Sequence, residues 1–397
     1  MTKLNNLGAR TKRHYDNCST QLSSASARLR FFDVFSGIGG FKIALENVGF
    51  ESIGYCDNDK YACQLYSNYF NTKNEVYYKD ARQIDTKTLP DFDILCAGFP
   101  CQSFSIAGKR RGFEDTRGTL FFEIARILKD KKPKYFILEN VKGLLNHNGG
   151  RTFATIIGVL TDLGYQVQWQ ILNSKFFGVP QNRERVYIVG YYGNGCSPKI
   201  FPITGSNSEN NVKIGLNQIP ETAGNSQGSR IYKTDGISSC LVANAGSGKT
   251  GLYCINKPRF NQYKESNIVE TLKVGGDRPL MKFRNGTKKG YDTATIGDGI
   301  NLAFPQSKTR RGRIGKGCSQ TLDTHCNMGT IDEDCRVRRL TPKECFRLQG
   351  FPDAMIDKAK ELGISDSQLY KMAGNAVTVN TAQAVAQKIW EAEYGST

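Results

Sequence analysis

The apolar residues of this chain fall mostly into short continuous runs, each closed by glycine or by a charged residue. Leu29-Arg-Phe-Phe-Asp-Val-Phe35 reads as a buried strand, followed by the turn Ser36-Gly-Ile-Gly-Gly40 and a helix, Phe41 to Val48, closed by Gly49. Glu51 to Cys56 is a second strand ending at Asp57, and Lys79-Asp-Ala81 closes a third unit. Ile94 to Ala97 is another buried strand, broken at Gly98; a helix over 119–130 and a strand at Tyr135 to Leu138 follow. Gly150 to Leu163 reads as a helix stopped by Gly164, and Tyr165 to Leu172 pairs with Arg185 to Tyr191 at a sheet edge. Strands alternating with helices predict an α/β fold, a mostly parallel sheet with helices on both faces.

From about residue 194 the composition turns to Gly, Asn, Ser, Thr and Lys, and no long helical pattern returns until Pro342. Arg338 to Gly350 then reads as a capped helix, with Thr341 as N-cap, Pro342 at its first position and Glu344 facing back. Gln368 to Asn375 leads into an apolar helix from Val379 to Trp390. The predicted division is a basic flexible tail, 1–29; an α/β domain, 30–193, which the family resemblance given below implies to be catalytic and cofactor-binding; an irregular β-rich domain, 194–353; and a segment, 354–397, returning to the first domain.

Charge changes the picture most. The 397 residues carry a formal +17, which points to a polyanionic partner, nucleic acid first. Residues 194–335 hold 19 Lys/Arg against 12 Asp/Glu, densest at Lys308-Thr-Arg-Arg-Gly-Arg-Ile-Gly-Lys316. The 12 cysteines are scattered, no signal peptide opens the chain and no apolar run would span a membrane. A reducing cytoplasm and free thiols are expected. No metal site is expected, since His325-Cys326 lacks partners at ligand spacing. Ala243-Asn-Ala-Gly-Ser-Gly-Lys-Thr250 is not a phosphate-binding loop, because its first position is Ala.

The candidate chemistry sits where strands end. Pro100 delivers Cys101 into a rigid turn behind the strand at 94–97, with Lys109, Arg110, Arg111 and Arg117 close in sequence to favour the thiolate. A lone Cys would more simply be a small buried hydrophobe. Residues 103–118 lack periodicity and are long for a connection, as a mobile lid would be. Glu139 follows the strand at 135–138, where a surface turn residue is the plain alternative. Arg183 and Arg185, two apart, would face one side of an extended segment and touch phosphate or base, or else pair with Glu184. Strand, glycine turn and helix is a nucleotide-cofactor layout, and Asp57, 20 residues beyond Gly37, stands where a carboxylate meets ribose hydroxyls. Asp80 is in reach of an adenine amino group.

Six segments in order resemble the DNA (cytosine-5) methyltransferase family in its compact bacterial and phage form. They are Asp33-Val-Phe-Ser-Gly-Ile-Gly-Gly40, Gly98-Phe-Pro-Cys-Gln102, Glu139-Asn-Val141, Gln181-Asn-Arg-Glu-Arg185, Arg339-Leu-Thr-Pro-Lys-Glu-Cys345 and Gly374-Asn375. The resemblance covers 30–393, most weakly 194–335. It implies a seven-stranded, Rossmann-like methyltransferase sheet, with 194–353 as target-recognition domain. S-adenosylmethionine is the implied cofactor, held by Phe35, Ser36, Gly37, Ile38, Gly39, Gly40, Asp57, Asn58, Asp80, Ala81, Pro100, Leu120, Asn375 and Ala376. Asp57 stands where Glu is usual, and Ala376 where Ser is.

Cys101 is implied as nucleophile toward carbon 6 of a flipped-out cytosine, Glu139 as the carboxyl group at ring nitrogen 3, Arg185 at the base oxygen, and Arg183 as support. Gln102, Ser105, Lys109, Arg110, Arg117, Arg310, Arg311, Arg313 and Thr321 are implied as DNA contacts. The implied partner is double-stranded DNA, met by a monomer, without or with a functionally paired restriction endonuclease. A transfer-RNA cytosine methyltransferase and a non-catalytic DNA-binding protein are the competing readings. An NAD-dependent oxidoreductase fits neither the glycine spacing nor the basic segment.

Overall fold

The computed structural model describes residues 28–100, 120–193, 195–205, 214–216, 271–272, 280–304, 309–331 and 337–395. Its strands are β1 (Arg30–Val34), β2 (Glu51–Cys56), β3 (Val76–Tyr78), β4 (Ile94–Gly98), β5 (Tyr135–Val141), β6 (Gln166–Asn173), β7 (Gln181–Asn182), β8 (Glu184–Tyr191) and β9 (Ile214–Leu216). They continue with β10 (Thr271–Leu272), β11 (Leu280–Arg284), β12 (Tyr291–Ala294), β13 (Gly299–Asn301), β14 (Ile314–Gly315), β15 (Ser319–Gln320), β16 (Met328–Ile331) and β17 (Val337–Arg339). The helices are α1 (Gly40–Glu46), α2 (Lys60–Tyr69), α3 (Leu120–Lys131), α4 (Arg151–Asp162), α5 (Pro342–Leu348), α6 (Asp353–Glu361), α7 (Asp366–Asn375) and α8 (Val379–Tyr394).

One sheet organises the rest, in the order β3-β2-β1-β4-β5-β8-β6-β9. The strands from β3 to β5 run parallel, whereas β8, β6 and β9 pair antiparallel with their neighbours. The chain thus supplies the seven expected strands and an eighth, β9, at the edge. Alternation along the strands divides the core in two. Phe31, Ile94, Cys96 and Ile137 point to a face covered by α1, α2, α5, α6, α7 and α8. Phe32, Val34, Leu95, Phe136 and Leu138 point to the other, under α3 and α4. Switching sides at every residue makes each central strand apolar throughout, which is why these strands read as continuous runs.

Beyond this sheet lie a three-stranded sheet (β10-β11-β12), a four-stranded sheet (β14-β13-β16-β17) and the pair β15-β7. Met281, Phe283, Ala294, Ile300, Leu302 and Ile331 form a separate small core there. The capping box at α5 is as read: the Thr341 side chain accepts from the Glu344 N–H, and the Glu344 carboxylate accepts from the Thr341 N–H at 2.7 Å. Helix α6 was not anticipated.

Helix α8 closes the fold by lying along α1, with Val377 just before it pressed onto the glycine turn. A Cβ on Gly40 would stand 2.5 Å from the Val377 carbonyl oxygen, a backbone atom that cannot swing away. Gly40→Ala is therefore expected to cost about 1–3 kcal/mol by overpacking, read as a lower midpoint in denaturant unfolding at unchanged slope.

Candidate active site

The glycine turn is held by its neighbouring strand. Gly37 and Gly39 take φ of 54° and 85°, and Phe35 lies in the same left-handed region at 61°, a conformation that costs an aromatic residue energy. The Asp57 carboxylate, at the end of β2, accepts the Gly37 N–H at 2.7 Å through Oδ2 and the Asp59 N–H at 2.8 Å through Oδ1. Burial raises its pKa, while these N–H groups pull it back. Asp57 therefore fixes the turn. Asp59 caps α2 and pairs with Lys371 of α7 at 2.6 Å, tying this loop to the C-terminal helices.

Ser36 Oγ is buried with no hydrogen-bond partner among the described residues, as are both carboxylate oxygens of Asp33 in the strand before it. An orphaned hydroxyl over a glycine turn suits a polar ligand atom approaching the backbone. Ile38, Gly40 and Ala81 are buried around it, Asn58 and Asn375 are exposed, and Leu120 is half-buried at the start of α3. Asp80 differs from its expected state. Arg82 donates to both of its oxygens, at 3.0 Å and 2.6 Å. The pair is solvent-exposed and so worth little, which leaves Asp80 able to exchange Arg82 for another donor.

The second half of the site follows from register. Gly98 pairs with Glu139 across β4 and β5, and Val141 pairs with Arg185 across β5 and β8. The ends of three neighbouring strands thus bring Glu139 beside Gly98 and within reach of Arg185. The Arg185 guanidinium lies 3.0 Å from Glu139 Oε1, both side chains largely buried. A Cβ on Gly98 would lie 3.6 Å from Glu139 Oε2 and 3.1 Å from Val377 Cγ2. The same Val377 touches Gly40, so the glycine turn and the acid share one wall. Asn140, to which the sequence assigned no role, donates from Nδ2 to the Phe99 carbonyl at 2.8 Å and pins the peptide entering Pro100. Pro100 itself is exposed. Cys101, Gln102, Ser105, Lys109, Arg110 and Arg117 lie outside the described residues.

Three expectations change. Arg183 does not share a side with Arg185, because its N–H turns back to the Gln181 carbonyl at 3.0 Å and breaks the extended run. Its guanidinium is buried and donates to the carbonyls of Gly374 (3.2 Å) and Ala376 (2.8 Å). Burial, then Arg185, lowers its pKa to about 9, so it stays charged at neutral pH. Arg183 is a positioning residue. Arg313, expected on DNA, is buried and bonded to the carbonyls of its own region. Thr321 gives its hydroxyl to the Asn182 carbonyl at 2.8 Å, docking the segment after β15 onto β7. Arg311 is exposed, and Arg310 lies over the Phe304 ring.

Around Arg183 runs a buried polar network that no local pattern announces. Gln181 donates to the Leu348 carbonyl at 2.8 Å and accepts from the Leu322 N–H at 3.1 Å. Gln349 donates to the Ala373 carbonyl at 2.6 Å and accepts from Thr378 at 2.6 Å. These bonds join the Gln181–Arg185 segment, the Thr321-Leu322 segment, the end of α5 and the chain between α7 and α8.

Residues 29–391 match the family described as C-5 cytosine-specific DNA methylase. The chain is 38% identical over 371 residues to the type II methyltransferase M.HpaII of Haemophilus parainfluenzae, across 92% of this chain and 90% of that one. It is 32% identical over 436 residues to the orphan methyltransferase M.SPRI of Bacillus phage SPR, across 91% and 97%. A crystal structure of a DNA modification methyltransferase encoded within an E. coli prophage shares the fold, with a TM-score of 0.54 at 19% identity, covering 92% of this chain and 99% of that one. With its six motifs spread over that match, the chain belongs to the C-5 cytosine-specific DNA methylases and is a DNA (cytosine-5-)-methyltransferase.

Proposed function

We propose that the chain methylates carbon 5 of a cytosine flipped out of double-stranded DNA, through a covalent bond from Cys101, with S-adenosylmethionine as donor. One observation carries this: Val377 borders both Gly40 of the cofactor turn and Gly98, three residues before Cys101, with Glu139 Oε2 against the same Gly98. Donor and base would therefore meet at one sheet end. Phe35, Ser36, the Gly37–Gly40 turn, Asp57, Asp80 and Asn375 would hold the cofactor, and the orphaned Ser36 hydroxyl fits its polar amino-acid end. When bound, that cofactor supplies an electrophilic methyl group on a sulfonium.

The protein's own part is to make carbon 5 nucleophilic. Attack by the Cys101 thiolate on carbon 6 breaks the ring's aromaticity, and the electron pair collects toward nitrogen 3 and carbon 5. Glu139 holds the proton at nitrogen 3, where that charge would develop. Arg185, now paired with Glu139, would turn one N–H to the base oxygen. After methylation, loss of the carbon 5 proton to water expels Cys101 and restores the ring. Asn140 sets the angle at which the chain enters the Cys101 turn. Residues 194–353 are the proposed target-recognition domain, docked through Thr321 and Leu322. The enzyme would work as a cytoplasmic monomer, as the modification half of a restriction-modification system or as a phage or orphan methylase.

The substrate is tested by offering labelled S-adenosylmethionine with duplex DNA and with transfer RNA. Label in DNA is expected, at a cytosine then located by bisulfite sequencing; label in transfer RNA alone would refute the duplex substrate. Glu139→Gln should lower kcat about 10²–10⁴-fold, the worth of a positioned acid, while equilibrium dialysis finds cofactor affinity within a few-fold of wild type. Asn140→Ala leaves the Phe99 carbonyl unsatisfied and the loop unpinned. Its kcat should fall about 10-fold or more with cofactor binding intact, a misplacement effect read in single-turnover kinetics.

A further inference from the structure

Phe304 is the most exposed large apolar side chain among the described residues, at 73%; the others, Tyr61, Tyr77, Val141 and Ile296, lie between 36% and 47%. Its backbone is also in the left-handed region, φ 50°, which an aromatic residue adopts only under constraint. The constraint is visible. Arg313, 2% exposed, reaches under the chain leaving β13 and donates to the carbonyls of Asn301 (3.1 Å), Ala303 (3.2 Å) and Phe304 (2.8 Å). A buried guanidinium thus holds a strained turn whose outcome is an aromatic ring standing in water.

What surrounds the ring is cationic. The Arg310 guanidinium carbon lies 5.4 Å from the ring centroid. The Arg310 carbonyl accepts the Gly286 N–H at 2.9 Å, and Arg311 donates back to the Gly286 carbonyl at 3.0 Å. These bonds bring the β11–β12 hairpin, with exposed Lys288 and Lys289, alongside. Cations alone would serve an acidic protein surface. An aromatic face among them fits a partner with both phosphates and flat apolar rings.

We infer that Phe304 is an aromatic wedge that seats against a base step of the bound duplex, while Arg310, Lys288 and Lys289 hold the flanking phosphates. The inference rests on duplex DNA being the substrate. Strain and exposure, both unfavourable in the free protein, are then kept for contact with DNA.

The test compares Phe304→Gly, Phe304→Trp and Arg310→Ala with wild type on a short duplex carrying the site that wild type methylates. Phe304→Gly should weaken binding about 5- to 150-fold, the range for losing one aromatic–base stack. Its thermal midpoint should hold or rise, because glycine suits the left-handed position. The salt dependence of binding should not change. Phe304→Trp should bind within a few-fold of wild type, and Arg310→Ala should reduce the salt slope by about one. Wild-type binding by Phe304→Gly, or a loss matched by a falling midpoint, would overturn the inference. If wild type itself fails to bind the duplex, the substrate reading falls, and the wedge with it.

Discussion

The register of β4, β5 and β8 is the constraint on which the rest depends. Pairing Gly98 with Glu139, and Val141 with Arg185, lines up three strand ends so that one acid, one guanidinium and the chain entering Cys101 share a small volume. A slip of one residue would turn Glu139 to the opposite face and into the core around Phe136 and Leu138. Burying that carboxylate without Arg185 would be strongly unfavourable, which opposes the slip, and the close packing of Ile137, Leu138 and their neighbours holds the strand in place. Within the site, the Glu139–Arg185 pair compensates two largely buried charges that neither could bear alone.

A second constraint ties remote parts of the chain to this one. Arg183, Gln181 and Gln349 are buried polar groups whose partners are mostly backbone carbonyls and N–H groups from segments far apart in sequence. Such a network stabilises little beyond what its own desolvation costs, but an incomplete one is strongly unfavourable. It therefore specifies one arrangement: the Thr321-Leu322 segment on β7, and the C-terminal end of α7 on Arg183. Val377 then closes the gap between the glycine turn and the end of β4. The proposed target-recognition domain and the C-terminal helices are thereby fixed to one frame.

What could be read from the sequence was local. The run Ile94 to Ala97 broken by Gly98, the glycine turn after β1 and the Thr341–Glu344 box each rest on residues a few positions apart. The inward direction of Arg183 was not legible. Two arginines at i and i+2 look alike until the turn at Gln181 sends one inward and leaves the other on Glu139. Arg313 was misread for a similar reason: a cluster of cations is visible as charge, whereas the carbonyls that make one of them a strut come from residues 301–304. Val377 carries no chemical signature, and its place depends on two glycines far apart in sequence, one opening α1 and one ending β4. Asn140 stood inside a recognised motif, but its bond to Phe99 needs the neighbouring strand.

In the proposed mechanism these constraints serve attack by Cys101 on an unstacked pyrimidine. The most direct measurement is mass spectrometry of the enzyme incubated with S-adenosylmethionine and a duplex whose target cytosine carries fluorine at carbon 5. Fluorine cannot leave as a proton does, so the adduct cannot resolve after methyl transfer. The account predicts a stable covalent complex, with the methylated nucleotide on the peptide containing Cys101. Transfer without any adduct, or an adduct on another residue, would contradict it.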